Sequence, residues 1–94
     1  MDMEVGSYYA VDYVSKFYYG RVISIRDEFI TLKFLRATST STFGWPRRDH
    51  VEKVHKTCIF FGPVKIQGND PTSISVPLHS EVIKVHQLIK NFNL

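Results

Sequence analysis

Three runs of aromatic and β-branched residues, separated by only a few polar residues, occupy the first third of the chain. They span residues 8–13, 17–25 and 29–35. Such residues favour strands, and strands joined by short connections pair as an antiparallel meander. In the third run, apolar side chains alternate with polar ones, which is the period of a strand with one buried face. The side chains expected to share one core there are Ile30, Leu32 and Phe34.

Further strands are predicted beyond the meander. A loop rich in Ser and Thr follows at 37–42, and Pro46 then predicts the end of a strand or an edge position. The apolar run at 58–61 is stopped by Gly62 and Pro63, which is typical of a short strand.

The last residues change to a helical period. Ser80 is placed to cap a helix whose first turn contains Glu81. Apolar residues then recur at spacings of three, four and three, which predicts one apolar stripe on an amphipathic helix. These residues are Val82, Val85, Ile89 and Phe92.

The chain has 94 residues, enough for one hydrophobic core and too few for two. We expect one domain over 1–94, with a barrel core at 5–62, a turn-rich extension at 63–79 and an amphipathic helix at 80–92. No apolar run reaches the roughly 18–20 residues of a membrane span, so no membrane contact is expected. The single cysteine, Cys58, and the absence of a signal-peptide pattern at the start favour a reducing, intracellular setting.

The first sixty residues resemble the Tudor domain and its SH3-like barrel relatives. The likeness lies in a small residue within the first strand, an aromatic followed by a small residue and Val on the second, and an apolar-x-apolar-x-aromatic third strand. The later segment 43–49, Phe-Gly-Trp-Pro-Arg-Arg-Asp, is similar to a barrel module of transposon-derived animal proteins. The resemblance implies a mainly β fold: a small SH3-like (Tudor-like) five-stranded barrel with a C-terminal α-helix.

The resemblance also implies a function, that of a non-catalytic module recognising a peptide, with methylated Lys or Arg as one option, in a nuclear, chromatin-linked complex. Tyr18 and Phe34 match two aromatic positions of the Tudor ligand cage. Asp12 stands where the family often has another aromatic, and Phe43 or Trp45 can substitute from the opposite wall. Ring faces and a carboxylate both attract a methylated cation.

Two other classes of function stay open. Lys and Arg exceed Asp and Glu by three, with a pI near 9.1, which suits a basic DNA- or RNA-binding barrel of transposon origin. The candidate phosphate contacts for that alternative are Arg36, Arg47, Arg48, Lys53 and Lys56. The third class is a homo-oligomerisation or protein-interaction domain, in which the helical stripe pairs with a second copy as a homodimer.

Signals for catalysis are weak. His50, His55 and Cys58 are separated by five and three residues, a spacing that matches no usual zinc framework. There is no glycine-rich phosphate loop, no paired-carboxylate signature and no nucleophile elbow. We therefore expect no enzyme activity, no catalytic residue, no metal site and no cofactor.

Overall fold

The three N-terminal runs form consecutive antiparallel strands in the computed structural model, which describes residues 2–68 and 73–92. These strands are β1 (Tyr8–Tyr13), β2 (Lys16–Arg26) and β3 (Phe29–Phe34). The remaining elements are β4 (Arg36–Ala37), β5 (Phe43–Gly44), β6 (Val51–His55), a 3₁₀ helix (Lys56–Cys58), β7 (Ile59–Val64) and α1 (His79–Phe92). Part of the predicted turn-rich extension, residues 69–72, lies outside the described residues, as do 1, 93 and 94.

Five strands form one antiparallel sheet in the order β6-β3-β2-β1-β7, and β4 and β5 pair separately. The predicted mainly β class with a C-terminal helix is thereby confirmed. Strands β6 and β7 are the two edges, so the sheet is not closed by hydrogen bonds. None of the helices among the described residues has the length and apolar character that crossing a membrane requires.

One face of the sheet, here called the inner face, carries the core that the sequence predicted. Successive residues of a strand point to opposite faces, so every second residue of β1, β2 and β3 reaches this core. Its members are Tyr9, Val11, Val22, Ile30, Leu32, Phe34 and Ile59. Cys58 is half-buried and packs against them.

Gly20 explains why a small residue is needed on β2. A Cβ atom at this position would lie 2.9 Å from Leu32 Cβ and 3.1 Å from Phe34 Cδ1. These distances are shorter than a van der Waals contact, so a larger residue would push β3 away from β2.

The opposite, outer face of β1 and β2 carries a second core. It is completed by α1 and by residues 73–76, whose backbone pairs with Phe43 and Gln67. Its buried members are Ala10, Tyr19, Leu35, Val64, Ile74, Val76 and Val82. Strands β1 and β2 therefore bury both faces at their centre.

Helix α1 begins one residue earlier than predicted, and its packing departs from the predicted stripe at one position. Because His79 is its first residue, Ser80 lies in the first turn and does not cap the helix. Val82 is buried as expected, but Phe92 is 88% exposed, so the predicted stripe is wrong at that position. The buried residue one turn after Val82 is instead His86, because Asp12 on β1 supplies a partner for its ring nitrogen.

The alternation on β3 generates a stability prediction. Leu32→Ala removes a fully buried side chain and should lower the free energy of unfolding by about 2–5 kcal/mol. Thr31→Ala changes a half-buried residue on the outer face and should cost less than about 1 kcal/mol. Urea denaturation measures both values, and equal losses would contradict the assignment of faces.

Candidate functional site

A groove of about 590 Å³ lies between the first half of β2, the β4–β5 hairpin and α1. Its floor consists mainly of rings and aliphatic side chains, and its mouth of exposed residues that are mostly polar. The floor residues are Phe17, Tyr19, Leu35, Phe43, His79, Ile83 and His86. The mouth residues are Ser15, Lys16, Tyr18, Ala37, Ser39, Thr40 and Gln87.

The rings on the floor contact each other edge to face. Tyr19 lies 5.5 Å from Phe17 and 5.1 Å from Phe43 between ring centroids, at interplanar angles of 83° and 89°. Edge-to-face pairs are a favourable arrangement for aromatic rings and restrict their rotation. The groove therefore has a preformed apolar floor.

His79 joins this floor to the first turn of α1. Its Nδ1 lies 2.7 Å from the hydroxyl of Tyr19. Burial lowers the pKa of His79 and raises the pKa of Tyr19, so both side chains are neutral near pH 7. The neutral imidazole can then accept the hydrogen bond that the Tyr19 hydroxyl donates.

A second histidine fixes the middle of α1. His86 Nε2 lies 2.8 Å from Asp12 Oδ1, and because a carboxylate only accepts, the imidazole N–H donates. Lys90 Nζ donates to the same carboxylate at 2.9 Å. Burial by itself raises the pKa of Asp12, but the hydrogen bonds and charges of Lys90 and His86 outweigh it and lower the pKa below its ordinary value.

The five predicted cage residues are not brought together. Tyr18 and Phe34 do meet on the inner face, with ring centroids 6.3 Å apart, and Tyr13 packs against both. Phe34 is fully buried, however, so its ring face is not available to a ligand. Tyr18 is 37% exposed.

The other three cage residues lie on the outer face. Asp12 is engaged by α1, and Phe43 packs on the groove floor. Trp45 rests 6.2 Å from Tyr8 between ring centroids, with Lys33 Nζ 4.9 Å from its own centroid. The physical reason is strand alternation: Val11 is the residue opposite Tyr18 across the β1–β2 pair, so Asp12 points the other way.

Polar contacts also occupy the space near Tyr18 where the cage was expected. The hydroxyl of Tyr13 donates to Glu52, whose other oxygen lies 3.1 Å from His50 Nε2. Burial and this hydrogen bond raise the pKa of Tyr13, and the bond lowers the pKa of Glu52. The carboxylate of Glu52 is therefore already hydrogen-bonded.

The five predicted basic residues are dispersed. Arg36 lies on β4, and Arg47 and Arg48 lie in the turn before β6; all three are exposed. Lys56 forms an ion pair with Glu28 at 2.9 Å. Lys53 is exposed on β6, where its Nζ lies 5.1 Å from the ring centroid of Phe29.

Phe17, Tyr19 and the α1 residues that line the groove were not among the predicted site residues. His86 was overlooked because a polar residue interrupts the apolar stripe, yet its spacing of four from Val82 was the available signal. Phe17 was available from strand alternation, since it lies on the face opposite Tyr18. Among residues 2–68 and 73–92, no three His, Cys, Asp or Glu side chains are grouped so that they could hold a metal ion.

Comparisons of this chain with protein-family models, with curated proteins and with solved structures find no match.

The contacts of Asp12 predict a pH effect. A carboxyl whose pKa is lowered by folding stabilises the protein above its unfolded pKa, about 3.9, and this contribution disappears as the pH falls through the folded value. Asp12→Asn should lower the free energy of unfolding by about 1–2 kcal/mol at neutral pH. It should also make the loss of stability below about pH 4 less steep.

Denaturation at a series of pH values measures both effects. Asp27→Asn, in the exposed turn between β2 and β3, is the matched control and should follow the unmodified protein. If Asp12→Asn loses stability with falling pH as steeply as the unmodified protein, His86 and Lys90 do not stabilise the Asp12 carboxylate as described.

Proposed function

We propose that this protein is a non-catalytic binding module that recognises a peptide through the groove between β2, the β4–β5 hairpin and α1. The observation that carries the proposal is the preformed aromatic floor, because clefts with an apolar lining and few polar groups are the usual sites of side-chain anchors. The groove's volume of about 590 Å³ lies within the usual range of ligand sites.

We also propose that the sheet belongs to the SH3-like or Tudor-like class. The consecutive pairing of β1, β2, β3 and β6 supports this, as does the return of β7 to the free side of β1. A sheet with this order needs only its two edge strands to approach each other to become a small barrel. The close packing of Gly20 beneath β3 is consistent with strong bending at that point.

The charges around the groove determine which side chains of a ligand it favours. The lining contains Lys16 and two histidines but no Asp or Glu, and the nearby carboxylate of Asp12 is already shared by two donors. Electrostatics therefore favours either an uncharged apolar side chain or an acidic one. The resemblance to Tudor domains supports a methylated Lys or Arg instead, in a nuclear, chromatin-linked complex. The ring available to such a cation is that of Tyr18, which is 37% exposed and lies on the inner face, opposite the groove floor.

A displayed library of random peptides, supplemented with methylated Lys and Arg peptides, tests the proposal. Selected peptides should bind with dissociation constants in the tens to hundreds of micromolar, as measured by NMR titration. Ile83→Glu places a charge on the groove floor, and Thr40→Trp fills its mouth from an exposed position. Each should weaken binding by more than about tenfold.

Leu88→Glu is the matched control for Ile83→Glu, because Leu88 is on the exposed side of the same helix and does not line the groove. If peptides bind equally to all three variants, the groove is not the site. A preference for methylated peptides that is lost in Tyr18→Ala would identify a cation as the ligand, and equal binding of unmethylated peptides would favour an apolar anchor.

Self-association is a second candidate function, favoured by the exposed end of α1. Leu88 and Phe92 lie one turn apart and are 59% and 88% exposed. Large apolar side chains in this arrangement are suited to pairing with a second copy of the helix.

In sedimentation equilibrium we expect a concentration-dependent dimer that Phe92→Ser weakens by at least about tenfold, while Lys84→Ala does not. A monomer at every concentration would contradict this candidate.

A further inference from the structure

The half of the outer sheet face that α1 leaves uncovered has its side chains in three cross-strand rows. The pairing of β2, β3 and β6 places one residue of each strand in each row. The rows are Arg21–Lys33–Val51, Ser24–Thr31–Lys53 and Arg26–Phe29–His55. A bulge at Ile23 keeps Ser24 and Arg26 on this face.

Positive charge dominates these rows. Four of their nine residues are Lys or Arg, and none is Asp or Glu. The charge of Lys33 is partly balanced by Asp49, whose Oδ1 lies 3.3 Å from its Nζ. Arg21, Arg26 and Lys53 are exposed, so this face presents three cations to a polyanion beside the Lys33–Asp49 pair.

An exposed ring lies among these cations. Phe29 is 43% exposed, although a phenyl ring on a strand gains stability by burial. Its ring is supported edge to face by His55, at 5.4 Å between centroids and 83° between planes. Lys53 Nζ lies 5.1 Å from the same centroid. A supported ring with basic neighbours is suited to stacking against a flat, electron-rich ligand that carries negative charge.

We propose that the outer face of β2, β3 and β6 binds single-stranded nucleic acid. Phosphates would contact Arg21, Arg26 and Lys53, and a base would stack on Phe29. Successive rows are about 7 Å apart along β3, a separation that a flexible single strand can follow. Single strands are favoured over duplexes because a paired base does not offer its face to a ring.

This surface differs from the basic set that the sequence suggested, with which it shares only Lys53. Arg36, Arg47 and Arg48 lie outside the three rows, and Lys56 is paired with Glu28. The surface is also distinct from the groove, since none of its nine residues lines the groove. The two binding proposals can therefore be tested independently of each other.

Fluorescence anisotropy of the whole chain with labelled oligo-dT and oligo-U, about 16 nucleotides long, tests the proposal. Binding should weaken with salt, with a log–log slope of about −2 for three phosphate contacts to a single strand. The double variant Arg26→Ser/Lys53→Ser should bind at least about tenfold more weakly and reduce the slope by about 1.4. Lys65→Ser/Lys84→Ser removes the same charge from exposed positions elsewhere and should change the slope little.

Stacking is tested separately at Phe29. Phe29→Leu should weaken single-strand binding about tenfold, and Phe29→Trp should retain it, because both aromatic rings offer a stacking face. A duplex of the same length should bind more weakly and be insensitive to Phe29→Leu. Thr40→Trp, which fills the groove, should not affect either ligand.

Three results would overturn the proposal. They are no binding of single strands at about 50 mM salt, equal losses in the two charge variants, and unchanged binding in Phe29→Leu. Unchanged binding in Phe29→Leu would indicate a surface that attracts any polyanion. A labelled poly-glutamate peptide that binds as tightly as oligo-dT would lead to the same conclusion. Circular dichroism melts confirm that each variant is folded.

Discussion

The carboxylate of Asp12 receives hydrogen bonds from two side chains of α1, His86 and Lys90, and this contact sets where the helix lies on the sheet. Burying a carboxylate and an imidazole would cost free energy if either lacked a partner, and each satisfies the other. With α1 held at this position, its first turn reaches Tyr19 and closes one side of the groove. The binding groove therefore depends on a polar contact inside an otherwise apolar interface.

The sheet has two different halves because α1 packs only beside β1, the first half of β2 and β7. At the centres of β1 and β2 both faces are buried, so apolar and aromatic residues follow one another at 8–11 and 17–20. Over β3 only the inner face is buried, and the sequence alternates, while β6 and residues 23–26 of β2 contain no buried residue. The first arrangement produces the groove, and the second leaves the basic rows in contact with solvent.

The sequence was sufficient to predict features that depend on one element alone. Strand periodicity identified the inner core of β3, and helical spacing identified α1 and the burial of Val82. Features that depend on the register between strands were not predictable. The cage expected around Tyr18 required knowing that Val11, and not Asp12, lies opposite it. The basic rows likewise required the pairing of three strands, including a bulge that alternation alone does not reveal.

The strands of this unclosed sheet differ in the free energy that their local unfolding requires. Strand β1 is hydrogen-bonded on both sides and packed on both faces, whereas β6 is an edge strand with one face in solvent. Local opening therefore costs least free energy at β6 and most at β1 and β2, and backbone amide exchange should follow that gradient. The residues of β6 that face solvent belong to the cooperative unit that opens first, so a ligand bound across them would slow hydrogen exchange there most.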